Sequence, residues 1–199
     1  MTNPPPADLT DLTRVAKEAA GGEKGRGLPP VHLWNPPFCG DIDMRIAADG
    51  TWFYMNSPIG RLPLIKLFST ILRRDVDRYV LVTPVERVGI RVDDAPFVAV
   101  EMRVENPGPN QVLRFRTNVD DWTELGADHG MRFETGAAEG FKPYVHVRAA
   151  LWARVARSLF YDLVALGEAR VIDGVDQFGI VSGGVFFSMA PAAEIGFEA

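Results

Sequence analysis

Between Asp41 and Ile46 the residues alternate without a break: Ile42, Met44 and Ile46 face one way, and Asp41, Asp43 and Arg45 face the other. Side chains of a strand point to opposite faces in turn, so this is the pattern of a strand with one face on a core. Asp49-Gly50 then supplies a tight turn, and Thr51-Trp52-Phe53-Tyr54-Met55 returns as the partner strand. This hairpin is the strongest local constraint in the chain.

After Asn56-Ser57-Pro58 the period changes. Pro63 suits the first turn of a helix, and Leu64, Leu67, Phe68, Ile71 and Leu72 recur at helical spacing. Arg73 and Arg74 are expected at its C-terminal end, where the helix dipole favours cations. Strands are expected again over residues 79–83, 86–92 and 97–104, the last with Val98, Val100, Met102 and Val104 inward. Residues 106–110 (Asn-Pro-Gly-Pro-Asn) turn the chain into a strand at 111–117, and extended segments follow at 131–134 and 143–147. A long helix is predicted over 148–166, with Leu151, Val155, Leu159 and Leu163 on its buried stripe and Gly167 at its end. Residues 170–172, 178–181 and 185–189 read as closing strands, the last two joined by a turn at Ser182-Gly183-Gly184.

The order is hairpin, helix, strands, then strands, helix, strands. It predicts an α+β chain of two small domains that repeat a sheet-plus-helix motif, each helix lying on an antiparallel sheet. The expected division is an N-terminal arm at 1–28, an N-terminal domain at 29–82 and a C-terminal domain at 83–199. In the arm, Asp8 caps a short helix that Gly21-Gly22 stops, and a linker follows at 23–27. His32 to Pro37 holds too many prolines for a helix, so Trp34 is expected to pin an extended segment to the core.

Composition removes several classes of function. With 26 acidic against 21 basic residues the 199-residue chain carries a net charge of −5, which argues against duplex nucleic acid as a partner. Cys39 is the only cysteine, so no disulfide can form within the chain. No apolar run is long enough to span a bilayer, and the N-terminus lacks the basic start and apolar core of a secretory signal. Membrane insertion is therefore not expected, and a cytoplasmic location is.

Candidate sites are few. Asp41 and Asp43 share one strand face, as a hard cation would need, but the next residue in that row is Arg45. His32, His129 and His146 lie in unrelated segments with no ligand spacing between them, so no metal site is assigned. Cys39 has no basic neighbour in sequence to activate it and reads as a small apolar residue. The cationic and aromatic set is more suggestive: Arg45, Arg61, Arg73 and Arg148, with Trp34, Trp52 and Tyr144, fall near the ends of predicted elements. Arginine forks take phosphate or carboxylate, and aromatic faces accept a base or a sugar. Arg148 stands out because a cation at the start of a helix opposes the macrodipole.

Several of these stretches together resemble the bacterial proteins grouped as domain of unknown function 1285. They include Pro29-Pro30, Trp34-Asn35-Pro36, Cys39-Gly40-Asp41-Ile42-Asp43-Met44-Arg45-Ile46, Asp49-Gly50-Thr51-Trp52 and Ser57-Pro58-Ile59 with Arg61. Leu81-Val82-Thr83-Pro84, Asp94 with Pro96-Phe97, Thr117-Asn118, and Pro143-Tyr144 with Val147-Arg148 extend the resemblance to about Met189. It implies two domains with a repeated motif, the C-terminal one similar to pleckstrin-homology-like barrels. It also implies a ligand site in a cleft between the domains, for a nucleotide-like molecule, and a role in signal transduction. It carries no catalytic residues.

The reading that follows is a non-catalytic module for a small anionic, nucleotide-like ligand, without a cofactor, held by Arg45, Arg61, Tyr144 and Arg148. Two alternatives stand beside it. One is a metal-dependent phosphoryl or phosphodiester enzyme using Asp41 and Asp43. The other is an interaction scaffold in which the apolar strand at 185–189 adds to another sheet, with a homodimer as one outcome.

Overall fold

The computed structural model describes residues 9–21, 27–136 and 140–194; the expected Asp8 cap and residues 22–26 of the linker lie outside them. It is mostly sheet with three α-helices, an α+β architecture. The chain divides into two compact units at Pro96/Phe97, apart from Ala149–Leu151, which groups with the first. The division expected at 82/83 falls instead inside a hairpin, because Val82 pairs with Arg87 and Tyr79 with Ile90.

In the first unit α1 (Leu9–Gly21) precedes a short 3-10 turn at Val31–Leu33, where an extended segment was expected. Then come β1 (Phe38–Ile46), β2 (Trp52–Tyr54) and β3 (Ser57–Pro58). Helix α2 (Leu62–Thr70) follows, then β4 (Leu72–Arg74), β5 (Tyr79–Val82) and β6 (Arg87–Val92). These strands form one sheet in the order β3-β2-β1-β6-β5-β4, with β1 and β6 parallel and the other pairs antiparallel. The hairpin is as the alternation dictates: Ile42, Met44 and Ile46 are buried, and Asp41 and Asp43 are exposed. Its turn closes through Gly50 at φ 85 and a bond from Thr51 N–H to Asp49 Oδ1 of 2.9 Å. Trp52, fully buried, stacks on Phe68 of α2 at 6.3 Å between centroids, which ties helix to sheet. Each such side chain contributes about 1.5–3 kcal/mol by leaving water.

The helix stops earlier than its periodicity suggests. Ile71 caps it, and Leu72, Arg73 and Arg74 form β4 opposite Leu81, Val80 and Tyr79. Arg73 therefore serves no helix dipole. Its guanidinium donates to the carbonyls of Val31 and Trp34 at 2.9 and 2.7 Å, and to Asp75 at 2.8 Å.

The second unit holds β7 (Phe97–Glu105), β8 (Val112–Thr117), β9 (Trp122–Glu124), β10 (Met131–Gly136), β11 (Gly140–Arg148) and β12 (Leu151–Val155). Their order is β10-β11-β12-β7-β8-β9, with β12 and β7 parallel. Counted from its own first strand, each six-stranded sheet reads third-second-first-sixth-fifth-fourth, and in each the first and sixth strands are parallel. The repeat is thus in the strand topology. In the first unit α2 links the third strand to the fourth, and in the second a loop over Leu125–Gly130 does. The second sheet is curled. In a flat sheet β9 and β11 would stand roughly 19 Å apart, four strand spacings. Yet Thr123 Oγ1 on β9 donates to the carbonyl of His146 on β11 at 2.9 Å.

Two expectations fail here for physical reasons. No helix begins at Arg148, which ends β11. Leu151, Ala153 and Val155 are buried alternately with half-buried Trp152 and Arg154, a strand pattern. The helix, α3, covers only Arg157–Ala165. On β7 the register shifts between Ala99 and Glu101 opposite Thr117 and Arg116, so Val100 is the extra residue of a bulge and is exposed.

After α3 come β13 (Gly167–Ile172), β14 (Val175–Ser182) and β15 (Val185–Pro191), an antiparallel three-stranded sheet. Gly183 and Gly184 have φ of 56 and 75, the two left-handed residues of a tight hairpin turn.

Candidate functional site

The four residues predicted to bind a ligand divide between the units. Arg45, on the outer face of β1, is bonded to Asp93 at 2.5 Å and lies 4.5 Å over the Phe53 ring. Arg61 is exposed at the N-cap of α2, gives no capping bond, and lines a cavity described further below. Tyr144 is buried on β11, and the guanidinium of Arg132, its cross-strand partner, covers its ring at 5.1 Å. Arg148 is ion-paired with Asp121 and sits 5.0 Å over Phe97. Three of the four are thus engaged with the protein itself, and Arg61 lines an open cavity.

Alternation puts Tyr144, His146 and Arg148 on one face of β11. Arg132 also lies over Trp152 at 4.6 Å, Trp152 packs on His146 at 5.1 Å, and His146 stacks on His129 at 5.1 Å. Arginine, tyrosine, tryptophan and histidine thus stack on one another in a continuous row. It presents a packed face.

Where β11 begins, the surface opens into a cavity of about 450 Å³ within the second unit. Lys142, Arg154 and Arg157 bring three cations to it, and Phe141, Phe160 and Tyr161 bring aromatic surface. No carboxylate is among its described lining residues. Lys142 and Arg154 come from adjacent strands, whereas Arg157 and the two aromatics Phe160 and Tyr161 come from one side of α3, spaced i, i+3 and i+4. Arg157 is the first residue of α3, and Ala156 before it offers no side-chain cap. A cation placed there opposes the helix dipole, and the N-cap residue gives the first turn no side-chain acceptor. An anion in the cavity would relieve both. None of the six was singled out in the sequence, because the predicted long helix swallowed β12 and hid where α3 starts.

The remaining candidates supply less. Asp41 and Asp43 gain no third ligand: the described residues contain no group of three or more His, Cys, Asp or Glu able to hold a metal. Asp41 lies instead over Gly89 and 3.8 Å from Arg78. Cys39 is half-buried, with Sγ 3.6 Å from the Pro37 carbonyl. Among the described residues no helix is long and apolar enough to cross a membrane.

The fold and this cavity define an α+β protein of two units built on the same six-strand topology, with a cation-lined pocket in the second. Residues 29–95 match the family described as "Domain of unknown function (DUF1285), N-terminal domain", and residues 96–189 match the C-terminal domain of the same family. The chain belongs to the DUF1285 family. A solved DUF1285 protein from Silicibacter pomeroyi DSS-3 is 49% identical, with a TM-score of 0.85 over 96% of this chain and 100% of that one. A second, from Shewanella baltica OS155, is 27% identical with a TM-score of 0.49, over 62% of this chain and 91% of that one. No curated protein matches.

Proposed function

We propose that this protein is a non-catalytic binding module for a small anionic, nucleotide-like ligand, acting in signal transduction. The observation that carries the reading is the cavity of the second unit, where Lys142, Arg154 and Arg157 converge beside Phe160 and Tyr161 at the uncapped start of α3. Phosphate is held by such a cationic helix N-terminus, and a base stacks on the aromatic surface beside it. About 450 Å³ lies within the range of small-molecule sites.

Arg45 and Arg148 already hold Asp93 and Asp121, so this reading rests on Arg157 and its neighbours. The curled sheet followed by α3 supports comparison with a pleckstrin-homology-like barrel, whereas the sheet β13–β15 beyond α3 is an addition to that plan.

Calorimetric titration with ADP, inorganic pyrophosphate and adenosine tests the proposal. ADP is expected to bind, adenosine more weakly, and Arg157→Ala to weaken ADP at least about tenfold, the scale of one charge-assisted contact. Absence of binding by both ADP and pyrophosphate, or an Arg157→Ala protein that binds ADP like the native one, would overturn it.

A further inference from the structure

The first unit contains a second cavity, of about 590 Å³, between α1 and α2. Its apolar wall is Leu9 of α1 with Pro63, Leu64 and Leu67 of α2. On α2 the neighbouring Phe68 is fully buried, but Leu64 and Leu67 are only half-buried, because this is the space they face. Apolar side chains lining an open space retain a favourable transfer energy for any hydrocarbon that fills it.

The polar wall is basic. Among the described lining residues, Arg14, Lys17 and Arg61 face a single carboxylate, Glu18, which is already bonded to Arg14 at 3.2 Å. The side chains of Lys17 and Arg61 make no hydrogen bond or ion pair with the described residues. Arg61 stands at the N-cap of α2 without capping it, so this helix too begins with a cation where its dipole favours an anion. The walls therefore differ in kind: hydrocarbon on one side, and on the other two cations with no partner among the described residues.

We infer that the α1–α2 cavity binds a single-chain acyl carboxylate. The head group is held by Arg61 and Lys17, and the hydrocarbon tail lies on Leu9, Leu64 and Leu67. A guanidinium matches a carboxylate in a two-point fork, and the lysine adds a second charge. This site shares no residue with the cavity at α3, and neither depends on the other being filled.

The test is calorimetric titration of the full chain with dodecanoate, octanoate, dodecanol and lauroyl lysophosphatidate. Dodecanoate is expected to bind with one-to-one saturation, and to bind more tightly than octanoate by up to about fourfold per added methylene. Dodecanol and the double variant Arg61→Gln/Lys17→Gln should each bind at least about tenfold more weakly, since both lose the charge pairing. Both substituted positions are exposed, so folding should persist, and Arg157→Ala should bind dodecanoate unchanged. The inference is overturned if dodecanoate shows no saturable binding or binds no better than dodecanol. It is also overturned if the double variant binds as the native chain does, or if only the lysophosphatidate binds.

Discussion

The Ser182 hydroxyl, fully buried, donates to the main-chain carbonyl of Leu125 at 2.6 Å. The same oxygen accepts from the N–H of Leu113 at 2.8 Å, while Gln111 Nε2 reaches the Val181 carbonyl and Gly183 N–H reaches the Gln111 carbonyl. One side chain thus joins the three-stranded sheet to β8 and to the loop that follows β9. Ser182→Ala would leave a buried donor and a buried acceptor without partners, at a cost of about 2–3 kcal/mol. Urea unfolding should show a lower midpoint with an unchanged slope. A loss below about 0.5 kcal/mol would mean that water or a shifted backbone replaces the hydroxyl.

Glycine is needed at two places in that sheet for lack of room. A Cβ on Gly179 would lie 2.3 Å from the Phe187 carbonyl oxygen and 2.6 Å from the Phe186 ring, at the register shift between β14 and β15. At Gly167 it would lie 2.1 Å from the buried Phe178 ring. Either Gly→Ala change should cost about 2 kcal/mol or more, because the obstruction is backbone or a core ring. Gly60→Ala, with nothing within 4 Å of the new Cβ, is the matched control and should stay within about 0.5 kcal/mol. Thermal unfolding of the three variants side by side tests the contrast.

Elements with a clean period were legible from sequence. Ile42, Met44 and Ile46 dictated β1, and Leu64, Leu67 and Phe68 dictated α2. What misled was apolar spacing that serves two periods at once. Leu151, Val155, Leu159 and Leu163 are four apart, which suits a helix, but Leu151, Ala153 and Val155 also fit a strand, and pairing with β7 decided for the strand. Leu72 likewise continues the stripe of α2 yet pairs with Leu81. Tertiary pairing overrides local periodicity where a segment satisfies both. The same ambiguity displaced the helix start: the cation at the first position of α3 is Arg157, whereas Arg148 ends a strand.

Arg148 and Asp121 form a part-buried pair, with side chains 20% and 30% exposed. A double-mutant cycle with Arg148→Ala and Asp121→Ala should give a coupling energy of about 1–2 kcal/mol, above the range of exposed pairs. Coupling near zero would mean that solvent screening and desolvation cancel the attraction between the two charges.

Glu86 provides the clearest pH dependence. Burial raises its pKa above the ordinary 4.5, the nearby Asp11 on α1 raises it further, and Arg14 partly offsets both. Because the folded-state pKa lies above the unfolded one, the folded protein binds the proton more tightly. Stability from this group is therefore fully present below the unfolded pKa, and it is lost as pH rises through the folded pKa. At neutral pH the ionised carboxylate is a net cost, so Glu86→Gln should stabilise the protein at pH 7 and lose its advantage as pH falls below about 4.5. Asp11→Asn should act in the same direction by a smaller amount, since it removes only the second cause. Urea midpoints measured across this range check the sign, and an NMR titration placing the Glu86 carboxyl at or below its ordinary value would contradict the account.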